Sequence, residues 1–330
     1  MDPLYINKEK ITVLLPMDEC IAAMETMFCS LANGDCLQPL RSIMWLPDKS
    51  GLLGMMPGYA KGPGISDHPG IPTHPGVMVL KAISIFPGNH EAGYPSHQGV
   101  VILFDGKNGT PLMFFDAAEI TAIRTAAASA VATRLLSRKD SKVLAILGSG
   151  EQAEKHIEAI LQVRNIDQIN IWSRDSKKAS ALAKKLTPQY PVPIHATGNV
   201  REAIGNADII CTVTASKQPI LTGDWIPKGA HINAVGSSTP AARELDTTAI
   251  KISKLFTDRY ESLFNEAGDF LIPKSEGAIT DQHVKGEIGE VLIGTKKGRE
   301  SNDEITLFKS LGISAEDLFA AWHIYKKLNP

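Results

Sequence analysis

The chain of 330 residues lacks any long hydrophobic run: its longest unbroken aliphatic or aromatic stretch, Val100 to Phe104, is about five residues, against the roughly 20 that a membrane helix needs. No membrane partner is expected. It also lacks an excess of either charge, with 34 Lys and Arg against 36 Asp and Glu, a formal net charge of −2 and a pI near 6.5. With no global positive field and no local basic patch, nucleic acid is not an expected partner either. Cysteine is scarce. The four present, Cys20, Cys29, Cys36 and Cys211, are too few to staple this length and fit no CxxC spacing, so buried free thiols are expected. Met1-Asp2-Pro3-Leu4 shows neither the basic start nor the apolar stretch of a secretory signal, and a cytoplasmic location is expected. Repeats, low-complexity tracts and charge blocks are absent too. What remains is a chain 43% hydrophobic, long enough for two domains.

Three zones can be read from the pattern. The first runs to about residue 118. It opens with a helix near Asp18, where Ile21, Met24, Phe28 and Leu31 repeat at helical spacing and Gly34 supplies a C′ residue. Strands follow at Val77 to Ile85 and Gly99 to Phe104, and the turn Asp105-Gly106-Lys107-Asn108-Gly109 predicts a hairpin with Pro111 to Phe115. The Pro- and Gly-rich segment from Gly58 to Gly76 reads as a loop. Its His68 and His74 lack the close partners that zinc requires, so no metal site is expected.

The second zone begins with an alanine-rich helix, Ile120 to Leu136, and turns into a βαβ rhythm. Strands are expected at Val143 to Leu147, Ile169 to Trp172, Ile209 to Val213 and Ile232 to Val235, with helices at Gln152 to Val163 and Ser176 to Leu186. Such alternation implies a parallel sheet covered on both faces. The third zone is one helix, roughly Ala315 to Leu328, too short to be a domain and expected to pack back on an earlier one.

Gly148-Ser149-Gly150-Glu151-Gln152-Ala153 is GxGxxA between an apolar strand and a helix, the context of a dinucleotide-binding fingerprint. Gly148 permits the tight turn, Gly150 lets backbone amides approach a pyrophosphate, and Ala153 lets helix and strand lie close. At the tip of the second strand, Ile171-Trp172-Ser173-Arg174 carries no carboxylate for a ribose 2′-hydroxyl. Ser173 and Arg174 suit a 2′-phosphate, which favours NADPH over NADH, although Asp175 follows one step later.

At this point the chain resembles the ornithine cyclodeaminase/mu-crystallin family, nearly end to end. The motifs are Ile120 to Ser129 (ITAIRTAAAS), Gly148 to Ala153, Ile232-Asn233-Ala234-Val235-Gly236, and Gly286-Glu287-Ile288-Gly289-Glu290-Val291 followed by Gly298-Arg299 and Glu304 to Ser310. The resemblance implies an α/β chain: a central Rossmann-type domain, residues 119–311, and a discontinuous α+β substrate and dimerisation domain, residues 1–118 with 312–330. It also implies a homodimer. Its substrate-carboxylate contacts correspond to Arg41, Lys81 and Arg124, with Ser96 nearby. Its cofactor contacts correspond to Arg124, Thr125, Gly148, Ser149, Gly150, Glu151, Gln152, Ser173, Arg174, Thr214, Ala215, Val235, Gly236 and Ser310. Chemically the three cations make sense: each interrupts or borders an apolar stretch, where a charge is costly unless paired. Each alone suits a structural ion pair; together, in the family's positions, they suit a shared anionic ligand.

One departure narrows the chemistry. Cyclodeaminases of the family carry an aspartate shortly after the NAVG strand end, whereas this chain reads Gly236-Ser237-Ser238-Thr239-Pro240. Ser238 has neither the charge to hold a distal ammonium nor the basicity of a general base at neutral pH, so cyclodeamination is disfavoured. Hydride reduction of a small cyclic α-imino acid, Δ1-pyrroline-2-carboxylate or Δ1-piperideine-2-carboxylate, is expected instead, with Lys81 as catalytic residue. Alternatives within the family are alanine dehydrogenase-like reductive amination and non-catalytic binding of NADPH and a small ligand. Asp269 reads as a salt-bridge or capping residue.

Overall fold

A computed structural model describes residues 3–61, 76–86, 88–89 and 93–329. His68 and His74 lie outside the described residues. The chain divides into two compact units, Met1–Arg124 with Ile313–Pro330, and Thr125–Gly312. The division falls inside a continuous helix, six residues beyond the 118/119 boundary read from the sequence pattern.

The first unit is built on a mixed sheet. In chain order it contains β1 (Leu4–Ile6), α1 (Lys8–Leu14), α2 (Met17–Ala32), β2 (Cys36–Leu37), β3 (Ser42–Trp45), β4 (Leu52–Ala60), β5 (Val77–Ile85), β6 (His97–Asp105), β7 (Pro111–Asp116) and the start of α3 (Ala117–Leu136). The sheet order is β1-β7-β6-β5-β4-β2 with β3 also on β4, antiparallel except for β1 beside β7. Helix α2 ends where Gly34 takes φ +79°, the left-handed turn a side chain would oppose.

Gly58 to Ala60 is a correction to the expected loop, since it completes β4. The reason is tertiary: a Cβ at Gly58 would stand 2.5 Å from Ser314 Oγ, and that hydroxyl donates to the Pro57 carbonyl at 2.6 Å. Glycine in this strand marks a close approach, not a break.

The second unit holds the rest of α3, then β8 (Val143–Leu147), α4 (Glu151–Leu161), β9 (Gln168–Trp172), α5 (Ser176–Leu186), β10 (Ile194–Thr197), α6 (Val200–Ile204), β11 (Ile209–Thr212) and β12 (His231–Ala234). It continues through α7 (Thr247–Ile252), β13 (Ser253–Thr257), α8 (Tyr260–Glu266), α9 (Gly268–Ser275), β14 (Val284–Glu287), α10 (Ile288–Leu292) and β15 (Ile305–Lys309). Its eight strands run parallel in the order β10-β9-β8-β11-β12-β15-β13-β14. Leu144 and Ile146 face a core with Ile157 and Leu182, and Ala145 and Leu147 face the opposite core with Ile210 and Ile232. This is a Rossmann-type α/β sheet, apolar on both faces because helices cover both. The chain steps outward from β8 to β10 and then returns to β11 on the other side of β8. That reversal is the topological switch point where open α/β sheets bind ligands. The last helix, α11 (Ser314–Leu328), belongs to the first unit.

Candidate active site

In the first unit two cations lie buried on the core face of the sheet. Lys81 follows Val77 and Val79 on the inward side of β5, and is 2% exposed; Arg124, on α3, is 3% exposed. Each has acidic company. Lys81 Nζ donates to Thr121 Oγ1 at 2.5 Å and to Asp317 Oδ1 at 3.2 Å. Arg124 Nε donates to the same Asp317 Oδ1 at 3.1 Å, and Arg124 Nη1 pairs with Glu316. Glu316 and Asp317 open α11 and are both fully buried. A buried charge without such partners would be prohibitive, so the C-terminal helix makes the two cations tolerable.

The charges are tuned accordingly. Burial pushes the Lys81 ammonium down to about 8; Asp317 opposes that shift while Arg124 and Arg41 add to it. Burial also works against the Arg124 charge, but Asp317 and Glu316 overcome it and hold the guanidinium above its usual range. Among the described residues these contacts leave one Nζ hydrogen on Lys81, and one Nη1 hydrogen and the Nη2 pair on Arg124, as donors for an anion. Arg41 stands half-buried just before β3. Ser96 is not brought to this cluster: it pairs with Phe86 beyond the end of β5 and its hydroxyl meets His97 Nδ1 at 2.9 Å. Val101, not Ser96, is the β6 residue opposite Lys81.

In the second unit the glycine loop sits at the switch point. Gly148 has φ +145°, and a Cβ there would lie 2.8 Å from the Val213 carbonyl oxygen, so only glycine fits between β8 and the chain leaving β11. A Cβ on Gly150 would meet no described atom within 4 Å. Helix α4 starts there without a side-chain cap, leaving backbone N–H groups aimed outward as a phosphate requires. At the tip of β9, Ser149 Oγ donates to Ser173 Oγ at 2.9 Å. Arg174 is exposed beside them. Asp175, the residue that blurred the cofactor reading, has its Oδ1 on the Lys177 amide as the cap of α5.

Gln152 Oε1 and Ser310 Oγ are buried and have no hydrogen-bond partner among the described residues. Both belong to the expected cofactor set, and a bound group is one way to satisfy such an unpaired buried polar atom. The residues present therefore fit a dinucleotide. Ala215 and Gly236 are exposed at the ends of β11 and β12, with Val235 half-buried. Thr214 is differently engaged. Its amide and hydroxyl both donate to Glu244 Oε1, at 2.7 and 2.6 Å.

Glu244 is a feature that sequence reasoning missed. Fully buried, it also accepts from Thr212 Oγ1 and the Gly236 amide, each at 2.7 Å, and so ties together the segments leaving β11 and β12. Burial pushes its pKa up, and the hydrogen bonds from Thr214 and Thr212 with nearby Lys309 pull it back. Asp269 accepts from the Glu244 and Leu245 amides and lies 3.0 Å from Lys309 Nζ, which donates to the carbonyls of Ala234 and Ser237. Glu316, Asp317 and Lys309 were missed too. The feature that supported the cations once the family resemblance had named them, charge inside an apolar stretch, is equally present in Glu316-Asp317 before Leu318-Phe319-Ala320-Ala321-Trp322. Among the described residues no group of three or more His, Cys, Asp or Glu is placed to hold a metal.

A family model described as ornithine cyclodeaminase/mu-crystallin matches residues 1–330. The chain belongs to that family. Within the ornithine cyclodeaminase/mu-crystallin family it is 33% identical over 325 residues to a Δ(1)-pyrroline-2-carboxylate reductase of Bacillus cereus, covering 98% of this chain and 96% of the relative. It is 35% identical over 330 residues to the ketimine reductase mu-crystallin of Mus musculus, with the same coverage. The solved structure of Thermococcus litoralis Δ(1)-pyrroline-2-carboxylate reductase in complex with NADH and L-proline superposes with a TM-score of 0.92 at 37% identity, over 99% of this chain and 97% of that one.

Proposed function

We propose that this protein is a cytoplasmic NAD(P)H-dependent reductase of small cyclic α-imino acids, converting Δ1-pyrroline-2-carboxylate or its six-membered homologue to L-proline or L-pipecolate. The observation that carries the reading is the buried pair Lys81 and Arg124, which leaves donors for one carboxylate next to an ammonium able to give up a proton. Names of the relatives agree with it. Ser238 stands where cyclodeamination needs a carboxylate.

A nicotinamide dinucleotide, when bound, would supply the hydride. Everything else is done by side chains of this chain. Arg124, with Arg41, holds the substrate carboxylate; a guanidinium fork fixes a planar anion in one orientation, and positioning of that kind supplies much of a rate. Lys81, largely protonated at neutral pH with its pKa near 8, donates to the imine nitrogen. Gly148 to Gln152 hold the pyrophosphate, Ser173 and Arg174 the adenosine end, and Thr125, Thr214, Ala215, Val235, Gly236 and Ser310 line the rest. Asp175 is turned onto the Lys177 amide as the cap of α5, which leaves Ser173 and Arg174 as the side chains offered to a 2′-phosphate, and NADPH is the preferred cofactor.

The working form in this proposal is a homodimer. The outward face of the first unit's sheet presents the cross-strand row Pro57, Leu80, Ile102, Phe114 and Tyr5, each exposed or half-buried. A sheet apolar on both faces needs cover on both. Ile102→Asp is expected to halve the mass seen by light scattering, from twice 35.6 kDa; a wild-type monomer would refute the dimer.

The test of function is a panel of pyrroline-2-carboxylate, piperideine-2-carboxylate, pyruvate with ammonia, and ornithine, each with NADPH and NADH. Loss of absorbance with the cyclic imines is expected. Turnover only with pyruvate and ammonia, or ammonia release from ornithine, would refute the reading.

A further inference from the structure

Asp317 does more than neutralise a buried charge. One oxygen, Oδ1, accepts from Lys81 Nζ and from Arg124 Nε, at 3.2 and 3.1 Å, and Oδ2 stands 3.4 Å from the same Nζ. A single carboxylate thus grips both the proton donor and the carboxylate clamp assigned above. Thr121 Oγ1 takes a second Nζ hydrogen while its own hydroxyl hydrogen is spent on the Ala117 carbonyl at 2.6 Å, so it acts on Lys81 as an acceptor only. Two of the three ammonium hydrogens are therefore fixed in direction, and the third has one direction left. Asp317 itself is fully buried in the first turn of α11.

We propose that Asp317 is the positioning residue of the reaction: it keeps Lys81 charged, aims its remaining hydrogen, and sets the spacing between that hydrogen and the Arg124 fork. The inference rests on the reductase reading. Its substrate consequence is that the carboxylate and the imine nitrogen must be separated by a fixed span, as they are when the imine carbon bears the carboxylate.

The charged groups around Lys81 can be named from each side. Helix α11 contributes Asp317, α3 contributes Arg124, and the segment before β3 contributes Arg41; the cross-strand neighbours are apolar, Met56 on β4 and Val101 on β6. Asp317 is the leading charge that favours the protonated form of Lys81. Removing it leaves burial and two cations, all acting against the ammonium.

The experiment is the pH profile of kcat/KM for pyrroline-2-carboxylate in wild type, Asp317→Asn, Asp317→Glu and Glu316→Gln, with NADPH affinity measured separately by fluorescence titration. In D317N the basic limb should fall by about one pH unit or more, while NADPH affinity stays within about twofold. E316Q, which weakens the hold on Arg124, should raise KM and leave the limb in place. D317E keeps the charge but displaces it, so it should retain the limb and lose kcat about fivefold or more. An unmoved limb in D317N, an equal shift in E316Q, or an unchanged kcat in D317E would overturn the proposal. If D317N does not fold, the D317E result decides alone. Wild-type protein inert with both cyclic imines would refute the reductase reading itself; active wild type with an unmoved limb refutes only the role of Asp317.

Discussion

Replacing Glu244 by glutamine tests whether the buried carboxylate fastens the cofactor end of the parallel sheet. Four donors converge on its two oxygens: the Thr214 amide and hydroxyl on one, the Thr212 hydroxyl and Gly236 amide on the other. All four being donors, the side chain serves as an ionised acceptor. Glutamine offers one oxygen and one NH2. Either way it is turned, one backbone amide, of Thr214 or of Gly236, faces a donor, while the hydroxyl beside it can rotate to accept. An unsatisfied buried N–H costs about 1 to 3 kcal/mol, and the other contacts lose their charge assistance. Relief of the buried charge offsets part of this. The expected net loss is about 2 to 3 kcal/mol in urea unfolding. Because both amides lie at the strand ends proposed above to line the cofactor, KM for NADPH should rise about tenfold, equivalent to about 1.4 kcal/mol. A variant within about 0.5 kcal/mol of wild type, with unchanged cofactor KM, would show that Glu244 is a neutral acid there and refute the reasoning.

Three further outcomes are expected. Burial pushes His156 down to about 4 and His231 to about 3, against about 6.5 when unfolded. Their contribution to stability is therefore complete above pH 6.5 and is lost as pH falls toward those values, at about 2 to 3 kcal/mol per pH unit near pH 5 for the pair. His231→Asn should reduce the slope of unfolding free energy against pH by about half of that, and an unchanged slope would count against a neutral buried ring. Gly148→Ala places a Cβ 2.8 Å from the Val213 carbonyl oxygen at φ +145°; a stability loss of about 1 to 3 kcal/mol and weakened binding of both cofactors should appear in thermal unfolding and fluorescence titration. Arg174→Ala should raise KM for NADPH about tenfold and leave NADH within about twofold; equal effects on both would remove Arg174 from 2′-phosphate recognition.

Much of the architecture was legible because local pattern and tertiary role coincide. Val77 to Ile85, Val143 to Leu147 and Ser176 to Leu186 form elements with the bounds their periodicity predicts. The GxGxxA loop was legible because its glycines answer to backbone geometry that the neighbouring strand and helix already impose. Strands β13, β14 and β15 were not, since SKLFT, VKGE and ITLFK mix charge with apolar residues and owe their places to pairing with each other across more than 20 residues of sequence. Gly58 misled for a related reason. A Pro-Gly pair reads as a break until Ser314, more than 250 residues away, is seen to require the missing side chain.

The division holds for the candidate site as well. Sequence by itself determined which residue types were available: cations inside apolar stretches, a glycine loop between strand and helix, and a serine where cyclodeamination needs an aspartate. The first two are properties of composition and spacing and the third is legible only beside the family the chain resembles; all persist whatever the chain does far away. Only the tertiary structure decided how the charges are shared. It set Asp317 of the last helix between Lys81 and Arg124, put Glu244 under four donors from two strand ends, spent Asp175 on a helix cap, and left Ser96 away from the cluster. The reason is that a charge can be buried only with partners within a few ångströms, and those partners are brought together by folding, not by adjacency in the chain.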